Sequence, residues 1–90
     1  MQIKNILKFH NVADLIENCK PEIIKALNKD FIYILASLND FESLDFMLIN
    51  DCQVLTVDGI TGEVYDEMPV DDFIRRAFDC AIDQLAINRF

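Results

Sequence analysis

The stretch DCQVLTVDGITGEVYDEMPVDD, residues 51–72, decides the fold that the sequence predicts. Its first part, CQVLTVD, is rich in β-branched and apolar residues, which favour a strand. In the connection that follows, Asp58 can accept hydrogen bonds from the turn backbone and Gly62 can adopt a positive φ. The chain then returns as EVYD, so we predict a β-hairpin near residues 52–66.

The hairpin needs further structure to cover it, because two strands alone are only marginally stable in water. The preceding segment LDFMLI (44–49) fits a buried strand, but Phe41, Leu44 and Met47 also share one helical face. Periodicity alone does not separate helix from strand in so short an apolar run. The need for a third strand favours the strand, so we predict a central antiparallel sheet of two or three strands.

The segment after the hairpin predicts a C-terminal amphipathic helix near residues 69–86. Pro69 suits the start of a helix, and Asp71 and Asp72 would lie at the positive end of the helix dipole. Apolar residues then recur at helical spacing: Phe73, Ala77, Cys80 and Ala81 share one stripe. A helix with this pattern packs its stripe against the sheet.

The first twenty residues predict two short helices. IKNILKF (3–9) places its apolar residues on one side and its lysines elsewhere, as in a short helix. Asn11 is a suitable N-cap for VADLIENC (12–19), where the apolar residues follow helical spacing. Pro21 ends this helix, because the residue before a proline is pushed out of the α region.

The next segment favours one longer helix over residues 21–38. Pro21 suits the first helical position, and apolar residues recur from there to Leu38 at the helical period. The alternative ends the helix near Asn28 and makes FIYILASL (31–38) a strand, since Phe, Ile and Tyr favour sheets. The sequence therefore predicts an α+β fold with N-terminal helices, in a single globular domain over residues 1–90.

Composition argues against several classes of protein. The longest apolar stretch, FIYILA, has six residues, whereas a membrane-spanning helix needs about 20. The N-terminus lacks the apolar core of a signal peptide, so we expect a cytoplasmic protein without a membrane partner. Cys19, Cys52 and Cys80 are odd in number and widely spaced, so we expect buried thiols and no disulfide framework.

Residues that carry chemistry are sparse. The sole histidine, His10, lies between apolar segments and is expected at the surface or at a helix end. No phosphate-binding loop or zinc spacing is present, and neither glycine of the hairpin fits a calcium-binding EF-hand loop. A non-standard calcium site at Asp58, Glu63 and Asp66 is the remaining alternative. We expect no enzyme, no catalytic residue, no cofactor and no metal.

Charge is distributed very unevenly along the chain. Residues 1–29 carry a net charge of +2, residues 73–90 carry +1, and residues 30–72 hold eleven carboxylates with no Lys or Arg. An ordinary solvated surface mixes both signs. The acids either keep an apolar domain soluble or attract a basic partner. Direct nucleic-acid binding is disfavoured, because phosphate contacts need clustered Lys and Arg.

The segments VLTVDGITGEVYDEMP and DDFIRRAF carry a resemblance to known proteins. An acidic strand-turn-strand that leads into an amphipathic helix resembles small acidic bacterial immunity proteins, which neutralise colicin-type and contact-dependent toxins. It is also similar to parts of the SUKH immunity superfamily. The predicted hairpin departs from the four-helix fold of colicin DNase immunity proteins. The resemblance therefore implies only a type of function, a stoichiometric inhibitor that blocks a basic toxin such as a nuclease.

Such an inhibitor would contact its partner through the acids of the hairpin and the following helix: Asp51, Asp58, Glu63, Asp66, Glu67, Asp71 and Asp72. Tyr65 is the candidate aromatic anchor, since Tyr is enriched at interface hot spots, and packing inside the hairpin is its alternative role. Two other functions use the same composition. One is a phage-encoded inhibitor of host defence that imitates the charge of DNA, and the other is an assembly protein that binds a partner or a second copy through an apolar surface.

Overall fold

The computed structural model describes residues 5–38 and 43–88. The elements follow the order β1 (Ile6–Phe9), α1 (Val12–Cys19), α2 (Pro21–Ala26), α3 (Lys29–Ser37), β2 (Leu44–Ile49), β3 (Gln53–Asp58), β4 (Val64–Pro69) and α4 (Val70–Asn88). The predicted α+β class is therefore confirmed. Within the described residues, no helix combines the length and the apolar character that crossing a bilayer requires.

The strands of the described residues form one four-stranded antiparallel sheet with the order β1-β2-β3-β4, one strand more than the predicted maximum of three. The hairpin predicted near 52–66 is confirmed as β3 and β4, and LDFMLI is strand β2, as the need for a third strand suggested. Short turns join β2 to β3 and β3 to β4, so these three strands form a meander, whereas three helices separate β1 from β2 in the chain. The edges of the described sheet are β1 and β4.

The first strand corrects the helix predicted over residues 3–9, at least over its described part. Ile6–Phe9 pairs with β2, with Leu7 opposite Leu48 and Phe9 opposite Phe46. Both of these β1 side chains pack against the core, whereas the alternate residues are exposed. A four-residue segment is too short to form a stable helix by itself. Its backbone hydrogen bonds to β2, which is distant in the sequence, therefore determine its conformation.

The single helix predicted over residues 21–38 is wrong, because the chain breaks it into α2 and α3. Leu27 and Asn28 are both extended, with φ/ψ of −93°/151° and −76°/164°. The Asn28 side-chain oxygen accepts a hydrogen bond from the Phe31 N–H at 2.8 Å, which caps a new helix. The alternative strand over 31–38 is also wrong, since residues 31–37 lie in α3 and Leu38 is the C-cap of that helix.

The other helix boundaries agree closely with the local signals. Asn11 caps α1, with its side-chain oxygen accepting from the Asp14 N–H at 2.8 Å. Helix α4 begins at Val70, one residue after the predicted start, because Pro69 still ends β4 opposite Gln53. The described helix continues to Asn88, two residues past the predicted end.

The helices cover one face of the sheet, which we call the inner face. Its fully buried residues include Phe46, Leu48 and Val54, which meet Leu15, Ile16 and Leu35 from the helices. The rings of Phe46 and Phe73 meet edge to face at 5.4 Å between centroids, an arrangement that adds to the stabilisation from burial. This packing sets α4 alongside the sheet and fixes the position of its first turn.

The opposite face, which we call the outer face, carries Met47, Ile49, Leu55 and Val57 at its centre. These residues alternate with the inner-face residues of β2 and β3. None of them packs against the core formed by the helices and the inner face. The sheet therefore has apolar side chains on both sides, and the described helices cover only one; on the outer face Val57 is nevertheless buried, and Met47, Ile49 and Leu55 are half-buried.

The expectation that all three cysteines are buried holds only in part. Cys19 is half-buried and packs against the core, but Cys52 and Cys80 are exposed. Cys52 lies in the turn between β2 and β3, and Cys80 lies on α4. Burial raises the pKa of the Cys19 thiol above its ordinary value, so this thiol is protonated at neutral pH.

Candidate functional site

The turn between β3 and β4 is organised by Asp58, as the sequence predicts. Its Oδ1 accepts hydrogen bonds from the Ile60 N–H at 2.7 Å and the Thr61 N–H at 3.0 Å. Gly62 takes a φ of +78°, a conformation that costs glycine little. Hydrogen bonds from the Thr61 N–H, the Tyr65 hydroxyl and the Ile60 N–H hold the pKa of Asp58 below its ordinary value. Asp58 is therefore anionic at neutral pH.

Tyr65 belongs to the same turn network. Its hydroxyl donates to Asp58 Oδ2 at 2.7 Å, and the side chain remains exposed. The pairing of β3 with β4 is irregular at Tyr65. Thr56 lies opposite Asp66 and Val57 lies opposite Val64, so Tyr65 is the extra residue of a β-bulge. The hydroxyl is fixed by the hairpin while the ring faces solvent, a position that suits an aromatic contact with a partner.

Strand β4 separates its two central acids onto opposite sides. Asp66 lies opposite Thr56 on the inner face, where its Oδ2 accepts from Arg76 at 3.2 Å. Glu67 lies opposite Leu55 on the outer face. Because β4 is an edge strand, both acids border a backbone edge that can pair with another chain.

The acids at the start of α4 interact with one cation of the same helix and one cation from the segment between α1 and α2. Asp72 Oδ1 accepts from Arg75 at 2.6 Å, and Asp71 lies 4.0 Å from the Lys20 ammonium. Asp51, in the turn between β2 and β3, adopts a φ of +58° and lines a shallow depression with Lys20 and Asp71. Folding thus brings basic groups from both flanking segments onto the acidic segment.

The predicted contact residues therefore do not form one cluster. Asp58, Glu63 and Tyr65 lie at the turn end of β4, and Asp51 and Asp71 lie at the other end. Six residues of strand separate the two groups, or about 20 Å. Among the described residues, no Lys, Arg or His lies within 4.0 Å of four of the predicted acids: Asp51, Asp58, Glu63 and Glu67.

These observations define the surface that we call the acidic edge: Asp58, Glu63, Tyr65, Asp66 and Glu67. Every member but Asp58 is exposed, and Asp58 is half-buried. One of its four carboxylates is paired, through Arg76. The acidic edge keeps most of its negative charge while its backbone lies at the border of the sheet, so it can contact a basic partner through both side chains and main chain.

Sequence reasoning missed a groove between α4 and the β3–β4 side of the inner face. The cavity has a volume of about 280 Å³, and the residues that line it include Phe46, Thr56, Asp66, Met68, Phe73 and Arg76. The signal in the sequence was the pair of polar residues at inward strand positions, Thr56 and Asp66. Both lie on the inner face, in the same cross-strand row as Phe46.

It also missed a buried carboxylate on the outer face. Asp45 is 8% exposed, and its oxygens lie 2.8 Å from His10 Nδ1 and 3.6 Å from the Lys8 ammonium. The hydrogen bond with His10, with the electrostatic attraction of His10 and Lys8, lowers the pKa of Asp45 against the opposing effect of burial. His10 itself is exposed beside the start of α1, as expected.

The arrangement of side chains gives no metal centre in the described part of the chain. No three His, Cys, Asp or Glu residues within 5–38 and 43–88 are grouped so that they could hold an ion, and this includes Asp58, Glu63 and Asp66. The chain matches no protein-family model, and comparisons with curated proteins and with solved structures gave no significant match.

Proposed function

We propose that this protein is an inhibitor of the immunity type, which binds a basic protein through the acidic edge and blocks its activity. The observation that carries the proposal is the exposed edge strand β4 with the turn that precedes it, where three carboxylates have no cation among the described residues: Asp58 at the end of β3, Glu63 in the turn and Glu67 on β4. Unneutralised charge of one sign at a strand border favours a partner of the opposite sign.

The physical cost of this arrangement supports a functional role. Like charges on one edge repel each other and lower the stability of the compact state. On α4, Arg75 relieves such repulsion at Asp72, and within the acidic edge Arg76 relieves it at Asp66 alone. Asp58, Glu63 and Glu67 have no such cation among the described residues and lie together at the β3–β4 hairpin, where a partner can supply the missing positive charge.

The edge offers two kinds of contact that would act together. A partner segment in extended conformation would add a strand beside β4 through main-chain hydrogen bonds, and its Lys and Arg side chains would pair with Glu67 and Glu63. Tyr65 would supply the rigid aromatic contact, with its hydroxyl held by Asp58 at 2.7 Å. Covering the basic substrate groove of a nuclease in this way would prevent nucleic acid from entering it.

The test uses a charge-neutral double variant of the acidic edge, Glu63→Gln with Glu67→Gln. The matched control makes the same change at two exposed helix residues, Glu17→Gln with Glu22→Gln. Each form is immobilised and used to capture proteins from the native host at low salt, and any basic enzyme recovered is assayed with and without the inhibitor.

We expect the wild type and the control to retain the same basic protein and to inhibit it at a one-to-one ratio. The edge variant should bind it at least tenfold more weakly, with a smaller dependence on salt. Equal retention by all three forms, or recovery of no basic protein by the wild type, would refute the proposal.

A further inference from the structure

The outer face departs from the pattern of a solvated antiparallel sheet. Such sheets alternate apolar and polar residues, because one face meets water. Here β2 is LDFMLI and β3 is QVLTVD, so apolar residues occupy both inward and outward positions of each strand. Continuous apolar strands are typical of sheets that are covered on both faces, and the described helices cover only the inner one.

The outer face has a positive charge at its β1 edge and a negative charge at its β4 edge. One row crosses all four strands, with Lys8 opposite Met47, Met47 opposite Leu55, and Leu55 opposite Glu67. The apolar pair therefore lies between a cation on one edge strand and an anion on the other. Three strand spacings, or about 14 Å, separate the charged residues, so they do not pair within one molecule.

We propose that the outer face is the contact surface for a second copy of this chain. The two sheets pack face to face about a two-fold axis that runs along the strands, between β2 and β3. This rotation places β1 of each copy over β4 of the other, so Lys8 meets Glu67 of the second copy twice. Met47 and Leu55 of both copies fill the centre of the contact.

The charge pattern selects this axis over the other two-fold arrangement. An axis across the strands would place Lys8 over Lys8 of the second copy and Glu67 over Glu67, and both contacts are repulsive. A two-fold contact uses the same patch on both partners, so the patch must be complementary to itself. Packed sheets also keep their strands within about 30° of each other, which agrees with the axis along the strands.

The buried acid that the structure describes on this face does not oppose the contact. Burying a lone carboxylate is costly, but Asp45 already has its own partners in His10 at 2.8 Å and Lys8 at 3.6 Å. The Lys8 ammonium has three hydrogen-bond donors. It can therefore serve Asp45 and an acid of the second copy at the same time.

The size of the outer face sets the strength of the dimer. Three strands of six residues and one of four present a surface of at most about 20 Å by 20 Å, whereas a stable interface buries about 800 Å² on each partner. The face supplies roughly half of that area. We therefore expect a dimer that dissociates in the micromolar range rather than a permanent one.

The purified chain alone tests this, without any basic partner, so its outcome is independent of the inhibitor function. Sedimentation equilibrium from 1 µM to 1 mM, a range chosen to bracket the micromolar scale, should show the mass rise from 10.4 kDa toward twice that value. Lys8→Glu and Glu67→Lys are then measured separately and as a mixture. Circular dichroism confirms that each variant is folded.

Each single variant places like charges in contact and should dimerise at least tenfold more weakly than the wild type. The mixture restores both pairs in the mixed dimer and should recover the wild-type affinity. Leu55→Gln tests the apolar centre and should also weaken the dimer. A monomer throughout the range, a dimer unaffected by Glu67→Lys, or a mixture no tighter than its components would overturn the proposal.

Discussion

Replacing the buried acid Asp45 with asparagine tests the physical account of the outer face most directly. The change keeps the shape of the side chain and removes its charge. Asp45 is only 8% exposed, so its carboxylate depends on His10 and Lys8 for its stabilisation. The variant should therefore unfold more easily than the wild type at neutral pH.

The magnitude follows from the exposure of the three groups. A hydrogen bond to a charged group contributes about 1.5 to 3 kcal/mol, but the partner side chains are 80% and 55% exposed, and solvent screens such pairs. We expect Asp45→Asn to lower the free energy of unfolding by about 1.5 kcal/mol at pH 7. For a domain of this size that corresponds to a melting temperature lower by roughly 6 to 12 °C.

The effect should depend on pH in a definite direction. The pKa of Asp45 is lowered in the folded protein, so the carboxylate contributes stability above its ordinary value of about 4. That contribution is lost as the pH falls through the lower, folded value. The difference between wild type and variant should be full at pH 7 and should shrink steadily below pH 4.

Urea unfolding followed by circular dichroism between pH 3 and pH 7 measures this difference. Asp83→Asn, the same charge change at an exposed site of α4, is the control and should change stability by less than about 0.5 kcal/mol. The double variant Asp45→Asn with His10→Gln should lose less free energy of unfolding than the sum of the losses of the two single variants, because the two side chains interact. A variant as stable as the wild type at pH 7, or a gap that is the same at pH 3, would contradict the reasoning.

Three further predictions concern local structure. Gly59→Ala would place a Cβ 2.7 Å from the backbone carbonyl oxygen of the residue that precedes β2, so we expect a loss of about 1 to 3 kcal/mol in urea unfolding. Asn28→Ala removes the cap of α3 and should cost about 1 kcal/mol in the same assay, and a stability equal to the wild type would refute that role. In the folded protein, a thiol reagent should modify Cys52 and Cys80 quickly and Cys19 slowly, because Cys19 is half-buried and its pKa is raised; equal rates would contradict the structure.

The parts of the fold that were predicted correctly depend on local chemistry. Asn11 caps a helix and Asp58 organises a turn through hydrogen bonds to residues two or three positions away. Such signals are visible in a short window of sequence. Asn28 is the same kind of signal. Its side chain caps α3, so a new helix begins there even though the apolar residues keep the helical period across the break.

The parts that were predicted wrongly depend on distant contacts. β1 is a strand because it pairs with β2, and nothing within residues 3–9 distinguishes that pairing from a short helix. The charge balance of the candidate site is likewise tertiary, since Lys20 and Arg76 neutralise acids only after folding. The outer face was predictable in principle, because apolar residues at both positions of β2 were visible in the sequence.

The position of β1 has a consequence for synthesis of the chain. Ile6 pairs with Ile49, so the first strand leaves the ribosome long before its neighbour exists. Strands β2, β3 and β4 can pair with one another through short turns. Pairing of β1 with β2 instead closes a long loop that contains three helices, and long loops close more slowly. During translation β1 therefore waits unpaired until β2 has left the ribosome.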